Sequence, residues 1–337
     1  MTIKIAINGF GRIGRLALRA AWHRDDYQIV QINEIAGDAS AAAHLLKYDS
    51  VHGTWDKTVS SEESGADANL CIDGQTVRYT QNTNIADTDW SAVDMVIECT
   101  GTFKSQQALA PYFDKGVKKV VVSAPVKDGT LNLVMGVNDH LYTNQAIVTA
   151  ASCTTNCLAP VVDVLQKTFG IKHAAITTIH DITNTQSILD QYHSDLRRSR
   201  ASGLSLIPTS TGSATAITEI FPELKGRING LAVRVPLANG SLTDCVFELN
   251  RDVNVDQVND ALRDAAEGRL KGILGFSELP LVSADYTNDK RSGIVDGLST
   301  MVINNSQVKV LVWYDNEIGY VNRMMELAAK VAASIEH

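Results

Sequence analysis

The sequence predicts an α/β fold in two parts: a doubly wound, parallel-sheet domain first, then an α+β domain whose sheet is mostly antiparallel. Three observations carry this. Short apolar β-type runs alternate with helical stretches up to residue 150, the pattern of a parallel sheet covered on both faces. A glycine-rich turn joins the first run to the first helical stretch. Beyond residue 150 the β-type runs lengthen and the alternation stops.

In order, residues 4–8 read as a buried strand, and the turn at 9–14 leads into a helical stretch at 15–23. Residues 27–33, 95–99 and 119–123 are further strands, the last two closing near Gly, Pro or Ser. Residues 153–169 form a helix stopped by Gly170, followed by a strand at 173–180. Residues 231–235, 241–250, 298–303 and 307–313 are long β-type runs, two of them close enough for a hairpin. Helical stretches are expected at 255–267 and 319–335. The expected domains are 1–152, joined by the closing amphipathic helix at 319–337, and 153–318. A chain of 337 residues suits two domains, at roughly 100–200 residues each.

A net charge of −8 gives no electrostatic footprint for nucleic acid or an anionic membrane. The start of the chain runs straight into a strand, with no signal-peptide pattern and no membrane span. Five scattered cysteines, an odd number, suit a reducing cytoplasm better than a disulfide framework.

Gly9-Phe-Gly-Arg-Ile-Gly14 is a G-x-G-x-x-G turn between a strand and a helix. There Gly9, Gly11 and Gly14 permit a tight turn and let the backbone approach a pyrophosphate at the helix N-terminus. Such a turn with no ligand is the plain alternative; the strand-to-helix setting favours the dinucleotide and marks this domain as Rossmann-type. Glu34 follows the second strand, about 20 residues beyond the last glycine, where a carboxylate would bind the ribose 2′-hydroxyl and repel a 2′-phosphate. NAD is therefore expected over NADP.

Ser152-Cys153-Thr-Thr-Asn-Cys157 puts Cys153 at a helix N-terminus, where the dipole and free N–H groups stabilise a thiolate. Cys157 lies one turn deeper and reads as packing; no ligand set at zinc spacing accompanies the pair, so no metal is expected. A thiol nucleophile needs a base. His180 closes a strand of the second domain, but His44, His52, His140 and His193 stay open on these grounds. Thr209-Ser-Thr-Gly-Ser-Ala214 leads into a helical run and offers hydroxyls and N–H groups to a phosphate, with Arg198 and Arg234 as cationic donors. Together these point to aldehyde oxidation through a thioester.

At this point the chain resembles the glyceraldehyde-3-phosphate dehydrogenase family over essentially its whole length. The resemblance is carried by Ile7-Asn-Gly-Phe-Gly-Arg-Ile-Gly-Arg15, Lys47-Tyr-Asp-Ser-Val-His-Gly53, Ser123-Ala-Pro125 and Ala151-Ser-Cys-Thr-Thr-Asn-Cys157. It continues in Asp195-Leu-Arg-Arg198, Ile207-Pro-Thr-Ser-Thr-Gly212, Arg234-Val-Pro236 and Asp315-Asn-Glu317. The resemblance implies Cys153 as nucleophile and His180 as its base. It implies that Ser152, Thr154, Thr211 and Gly212 hold the attacking phosphate, while Thr183, Thr185, Arg198 and Arg234 contact phosphate groups of substrate or attacking anion. It places Arg12 and Ile13 by the cofactor pyrophosphate, and Thr100 and Ser123 on the nicotinamide side. Asn316 would fix the carboxamide and Tyr320 pack behind it. It also implies a homotetramer, with a loop around 181–203 crossing to a neighbour.

Four positions depart from the family pattern: Glu34 for Asp, Tyr192 for Pro, Thr83 for Arg and Ile318 for Trp. Several of these resemble paralogues encoded beside arsenic-resistance genes, for which arsenate would take the place of phosphate. An erythrose-4-phosphate dehydrogenase is the enzymatic alternative, and a thiol redox sensor the non-enzymatic one.

Overall fold

The computed structural model of the protein describes residues 2–64, 67–126 and 128–335. The chain divides into two units: Met1–Leu133, Asp139–Ala151 and Val321–His337 make the first, Val134–Asn138 and Ser152–Tyr320 the second.

The first unit holds β1 (Ile3–Asn8), α1 (Arg12–Ala21), β2 (Tyr27–Asn33), α2 (Ala39–Lys47), β3 (Val59–Ser64), β4 (Asp67–Ile72) and β5 (Gln75–Thr80). It continues with β6 (Met95–Glu98), α3 (Gln106–Asp114), β7 (Lys119–Val122), β8 (Leu131–Asn132) and β9 (Ile147–Thr149). The nine strands lie in the order β3-β4-β5-β2-β1-β6-β7-β9-β8. From β5 to β8 every pairing is parallel. The strands β1, β6 and β7 are almost wholly buried, as strands covered on both faces must be. β1 is flanked by β2 on one side and β6 on the other, so the strand order reverses there. Ligands of open α/β sheets bind at such a reversal, beyond the carboxyl ends of the strands.

Two expectations are corrected here. The first helix begins at Arg12 rather than at 15, so Gly14 lies within its first turn. Glycine is weak in a helix, but here the missing side chain lets the helix pack directly on the carbonyl of Gly9. Strands β3, β4 and β5 form an antiparallel meander that the apolar pattern does not mark, because β3 and β5 carry few buried apolar positions. Below the sheet, Trp90 packs edge-on against Tyr112 with centroids 5.3 Å apart and donates its indole N–H to the Ile85 carbonyl at 2.9 Å. Val96, Leu109 and Val120 complete this core.

The second unit holds α4 (Cys153–Thr168), β10 (Ile171–His180), β11 (Ile207–Ser210), α5 (Ser213–Ile220), β12 (Ile228–Arg234) and β13 (Ser241–Leu249). Then follow α6 (Val255–Glu267), β14 (Leu274–Ser277), β15 (Gly293–Ile303) and β16 (Gln307–Tyr314). A last helix, α7 (Ile318–Ala332), passes into the first unit from Val321 on. The strand order is β11-β12-β10-β13-β16-β15-β14. The sheet is mixed: β10–β12 and β14–β15 are parallel, and the other pairs antiparallel. Strands β13 and β16 alternate strictly between buried and half-buried residues, the mark of a sheet with one face on the core. Helix α4 covers that face and is buried from Thr154 to Leu165. Gly170, at φ +73°, ends it with a bond from its N–H to the Leu165 carbonyl at 3.1 Å. The β15–β16 hairpin turns through Asn304 and Asn305, both at positive φ, as a tight primed turn requires. Among the described residues no helix is long and apolar enough to cross a membrane.

Candidate active site

In the first unit the functional groups gather at the carboxyl ends of β1, β2 and β6. Gly9 sits at φ +89°, and a Cβ there would lie 2.5 Å from the Thr100 amide nitrogen. A Cβ on Gly14 would lie 2.1 Å from the Gly9 carbonyl oxygen. Gly11 differs: it is the N-cap of α1, and a Cβ there would meet nothing within 4 Å. The first two glycines are thus required by the protein's own packing, whereas the third leaves a backbone edge open beside the helix N-terminus. Glu34 closes the other side of the turn, accepting from Phe10 N–H at 2.6 Å and Ala36 N–H at 2.8 Å. Arg12 forms a two-pronged pair with Asp49 at 3.0 and 3.2 Å, and Ile13 is half-buried beside it. Burial opposes the Asp49 charge, but the His52 amide and Arg12 outweigh it and hold the carboxyl well below the usual range.

Thr100 donates its amide N–H to Glu98 at 2.8 Å and its hydroxyl to the same oxygen. The other Glu98 oxygen accepts from the Tyr112 hydroxyl at 2.7 Å and Asn8 Nδ2 at 3.0 Å. Burial raises the Glu98 pKa despite these donors. The Ser123 amide donates to the Glu98 carbonyl at 2.9 Å. Glu98 and Tyr112 drew no notice in the sequence; an acid inside an apolar run ending in Thr-Gly was the available signal.

In the second unit Ser152 caps α4, its hydroxyl accepting from the Thr155 amide at 3.2 Å. Cys153 is the first helical residue, and its Sγ lies 3.7 Å from His180 Nε2. Ala151, just before the cap, adopts φ +54°, a conformation that L side chains seldom take. Burial raises the Cys153 thiol, but the hydrogen bond and charge of His180 overcome it and the net shift is downward. Burial disfavours the His180 cation, yet hydrogen bonds with Asp181 and Cys153 bring its pKa up to about 9. Cys157 is the opposite case: fully buried, 3.8 Å from Thr243 Oγ1, with its thiol driven far up by burial. Of the histidines left open by the sequence, His44 packs on the Tyr48 ring and His193 Nδ1 accepts the Asp195 amide at 2.9 Å. His140 is exposed and His52 half-buried, both in the first unit.

Hydroxyls continue away from Cys153. Ser152 Oγ lies 3.3 Å from Ser213 Oγ, which accepts from Thr211 Oγ1 at 3.1 Å. Gly212 caps α5 beside them. Arg198 reaches the Ser210 carbonyl at 3.5 Å and Asp195 at 3.5 Å. Thr183 and Thr185 lie with their hydroxyls 3.0 Å apart. Thr154 is turned inward, its hydroxyl bonded to the buried Tyr314 hydroxyl at 2.9 Å, and its backbone N–H lies in the first turn of α4, where the helix itself offers it no acceptor. Ser213 belongs to the hydroxyl-rich stretch 209–214 expected to face a phosphate, whereas nothing in the sequence marks Tyr314. Arg234 Nη1 lies 2.7 Å from His180 Nδ1 and donates to the Asp181 carbonyl at 2.9 Å. Asn316 is buried with no hydrogen-bond partner for Oδ1, and Tyr320 is buried one turn further on. Among the described residues no cluster of three or more His, Cys, Asp or Glu could hold a metal ion.

Comparison with known proteins bears on these arrangements. Residues 3–106 match the sequence model described as the glyceraldehyde 3-phosphate dehydrogenase NAD-binding domain, and residues 152–316 that of the C-terminal domain. The chain is 58% identical over 341 residues to glyceraldehyde-3-phosphate dehydrogenase 3 of Nostoc sp., covering 100% of both chains. It is 49% identical to glyceraldehyde-3-phosphate dehydrogenase 1 of Bacillus subtilis, over 98% of this chain and 99% of that one. The enzyme of Geobacillus stearothermophilus is 48% identical, with 99% of each chain covered.

Proposed function

The chain belongs to the glyceraldehyde-3-phosphate dehydrogenase family of NAD-dependent oxidoreductases, and from that premise we propose that it oxidises D-glyceraldehyde 3-phosphate through a thioacyl intermediate on Cys153. The observation that carries the proposal is the 3.7 Å approach of His180 Nε2 to a thiol at a helix N-terminus. Cys153, as thiolate, adds to the aldehyde carbon, and His180 gives its Nε2 proton to the carbonyl oxygen. His180 Nε2 then takes the hydroxyl proton back as the carbon loses hydride. Bound NAD supplies the hydride acceptor. Inorganic phosphate attacks the resulting thioester, expels the Cys153 thiolate and leaves as 1,3-bisphosphoglycerate.

Gly9, Gly11, Gly14, Arg12 and Ile13 would hold the cofactor's pyrophosphate and Glu34 its ribose. The open space at Gly11 and the carboxylate beside the turn fit that group. Thr100, Ser123, Asn316 and Tyr320 would serve the nicotinamide; the orphaned Oδ1 of buried Asn316 suits the amide of a carboxamide. Ser152, the Thr154 amide, Thr211 and Gly212 would hold the attacking anion, and Thr183, Thr185, Arg198 and Arg234 the phosphate groups. Arsenate has the shape of phosphate, and the same donors accept it. We take 1–152 with the closing helix as the cofactor domain and 153–318 as the catalytic one. Ile188, Leu189, Tyr192, Leu196, Leu204 and Leu206 all stand exposed in one segment, which supports association with further copies of the chain, and the family resemblance makes that assembly a homotetramer. Five free cysteines support a cytoplasmic location.

NADH formation from the triose phosphate, with phosphate, arsenate or neither, tests the reading. Cys153→Ser should abolish turnover, and His180→Asn should lower it by about 10²–10⁴-fold, the contribution of a positioned base. Full activity in Cys153→Ser would sink the mechanism. Faster oxidation of erythrose 4-phosphate would reassign the substrate.

A further inference from the structure

Asp181 follows the base directly, and the chemistry above gives it no part. Strand β10 ends at His180, so the alternation that would send residue 181 to the opposite face no longer applies. Its side chain is completely buried, with Oδ1 2.9 Å from His180 Nδ1. The residue is pinned at both backbone ends: its N–H donates to Ser241 Oγ at 3.2 Å, and its carbonyl accepts from Arg234 Nη1 at 2.9 Å. Neither carboxylate oxygen receives a well-aligned hydrogen bond from another side chain.

Two partners compete for Nδ1. Arg234 Nη1 is 2.7 Å away and can only donate. If it donates to Nδ1, the neutral ring carries its proton on Nε2, facing Cys153, and cannot take a proton there. If instead Nδ1 carries the proton, it bonds to the Asp181 carbonyl at 2.9 Å, with the carboxylate Oδ1 in ion-pair contact 2.9 Å away. Arg234 then keeps its bond to that carbonyl, and Nε2 presents a lone pair to the thiol. The guanidinium favours the first state and the carboxylate the second.

We propose that Asp181 is a positioning residue that selects the Nδ1–H tautomer of His180 and completes a Cys153–His180–Asp181 triad. The proposal rests on the assignment of Cys153 and His180 made above. The proton of the thiol passes to Nε2, leaving a thiolate beside an imidazolium whose other N–H faces the carboxylate. The groups facing His180 are Cys153 from α4, Asp181, Arg234 from β12 and the Tyr314 ring from β16, edge-on at 6.1 Å between centroids. Glu317 and Arg198 act at longer range, on Asp181 and Arg234 respectively. The Asp181 charge by itself opposes the thiolate, but this effect is smaller than that of the imidazolium it supports.

The test is made on the full-length enzyme with Asp181→Asn and Asp181→Ser, measuring kcat, KM and the rate of iodoacetamide alkylation of Cys153 against pH. Loss of the carboxylate should lower kcat about tenfold or more, with KM changed far less. The alkylation midpoint should rise by about one pH unit toward that of a free thiol. Unchanged alkylation profiles with kcat within about twofold would overturn the triad. Nitrogen-15 NMR of histidine in the wild-type protein gives a readout independent of any variant's folding. A proton on Nδ1 of neutral His180 is expected, and a bare Nδ1 refutes the proposal. Cys153→Ser separates the two failures. Activity surviving in that variant removes the thiol mechanism, whereas its loss with unaffected Asp181 variants removes only the triad.

Discussion

Gly11→Ala and Gly14→Ala change chemically identical groups three residues apart, yet the structure assigns them opposite consequences. At Gly14, alanine gains helix propensity worth about 1 kcal/mol. Its Cβ would lie 2.1 Å from the Gly9 carbonyl oxygen, which must retreat by roughly an ångström to restore an ordinary contact. Gly9 has little freedom to retreat. Its N–H is bonded to the Asn33 carbonyl at 2.8 Å, and the Cys99–Thr100 backbone fills the space where a Cβ on it would stand. Overpacking of this kind costs about 1–3 kcal/mol, and the rigid backbone on both sides puts it at the upper end. Gly14→Ala should therefore lose about 1–2 kcal/mol net in urea unfolding of the NAD-free protein, and bind NAD more weakly as well. At Gly11 the added methyl meets no protein atom, and φ −66° is open to any residue. NAD-free stability should fall by less than about 1 kcal/mol, the difference between glycine and alanine at an N-cap. NAD affinity, measured by titration calorimetry, should fall about tenfold or more, or 1.4 kcal/mol. A Gly14→Ala protein as stable as wild type, or a Gly11→Ala protein with wild-type NAD affinity, would refute the reasoning.

Asp49→Asn removes a carboxylate whose pKa is depressed in the folded protein by the His52 amide and by Arg12. Such a group contributes stability above the unfolded carboxyl value, near 3.9, and loses it as pH falls toward the folded value. Urea unfolding should thus show a larger deficit for this variant at pH 7 than at pH 3, and an equal deficit at both would contradict it. Glu98→Gln should cost about 1–3 kcal/mol near pH 4.5, because an amide NH₂ then faces donors from Tyr112 or Asn8. Burial raises the Glu98 pKa, so the wild type loses stability as pH climbs through the folded value and the deficit should shrink. A deficit that is constant across pH 4–8 would argue against that account.

The sequence made the elements visible wherever a single rule dominated. The buried parallel strands β1, β2, β6 and β7 announce themselves as apolar runs, and the glycine turn stands between a strand and a helix. Cys153 was legible because Ser152 is a helix cap and the thiol follows it directly. The meander from β3 to β5 was not, since an edge meander buries few residues and its strands read as polar loop. Long-range constraints were likewise silent. Nothing near residue 9 reveals that Thr100 will press against it, and nothing near residue 98 reveals Tyr112. Asp181 was invisible for a geometric reason: neighbours along a strand point to opposite faces, and only the end of β10 at His180 lets the two side chains meet.

The register of two parallel strands carries a consequence for how such a chain can diverge. His180 on β10 lies directly opposite Arg234 on β12, at the end of an unbroken ladder that begins with Ala174 opposite Ile228. Insertion or deletion of one residue inside either strand would turn every later side chain to the wrong face and part the imidazole from the guanidinium. The connection from 182 to 206 is under no such rule except where it supplies a hydroxyl or an arginine, because lengthening a loop costs little. Indels should therefore accumulate between those anchors and stop abruptly at the ladder, leaving a segment free to acquire new surface partners while the chemistry beside it stays in step.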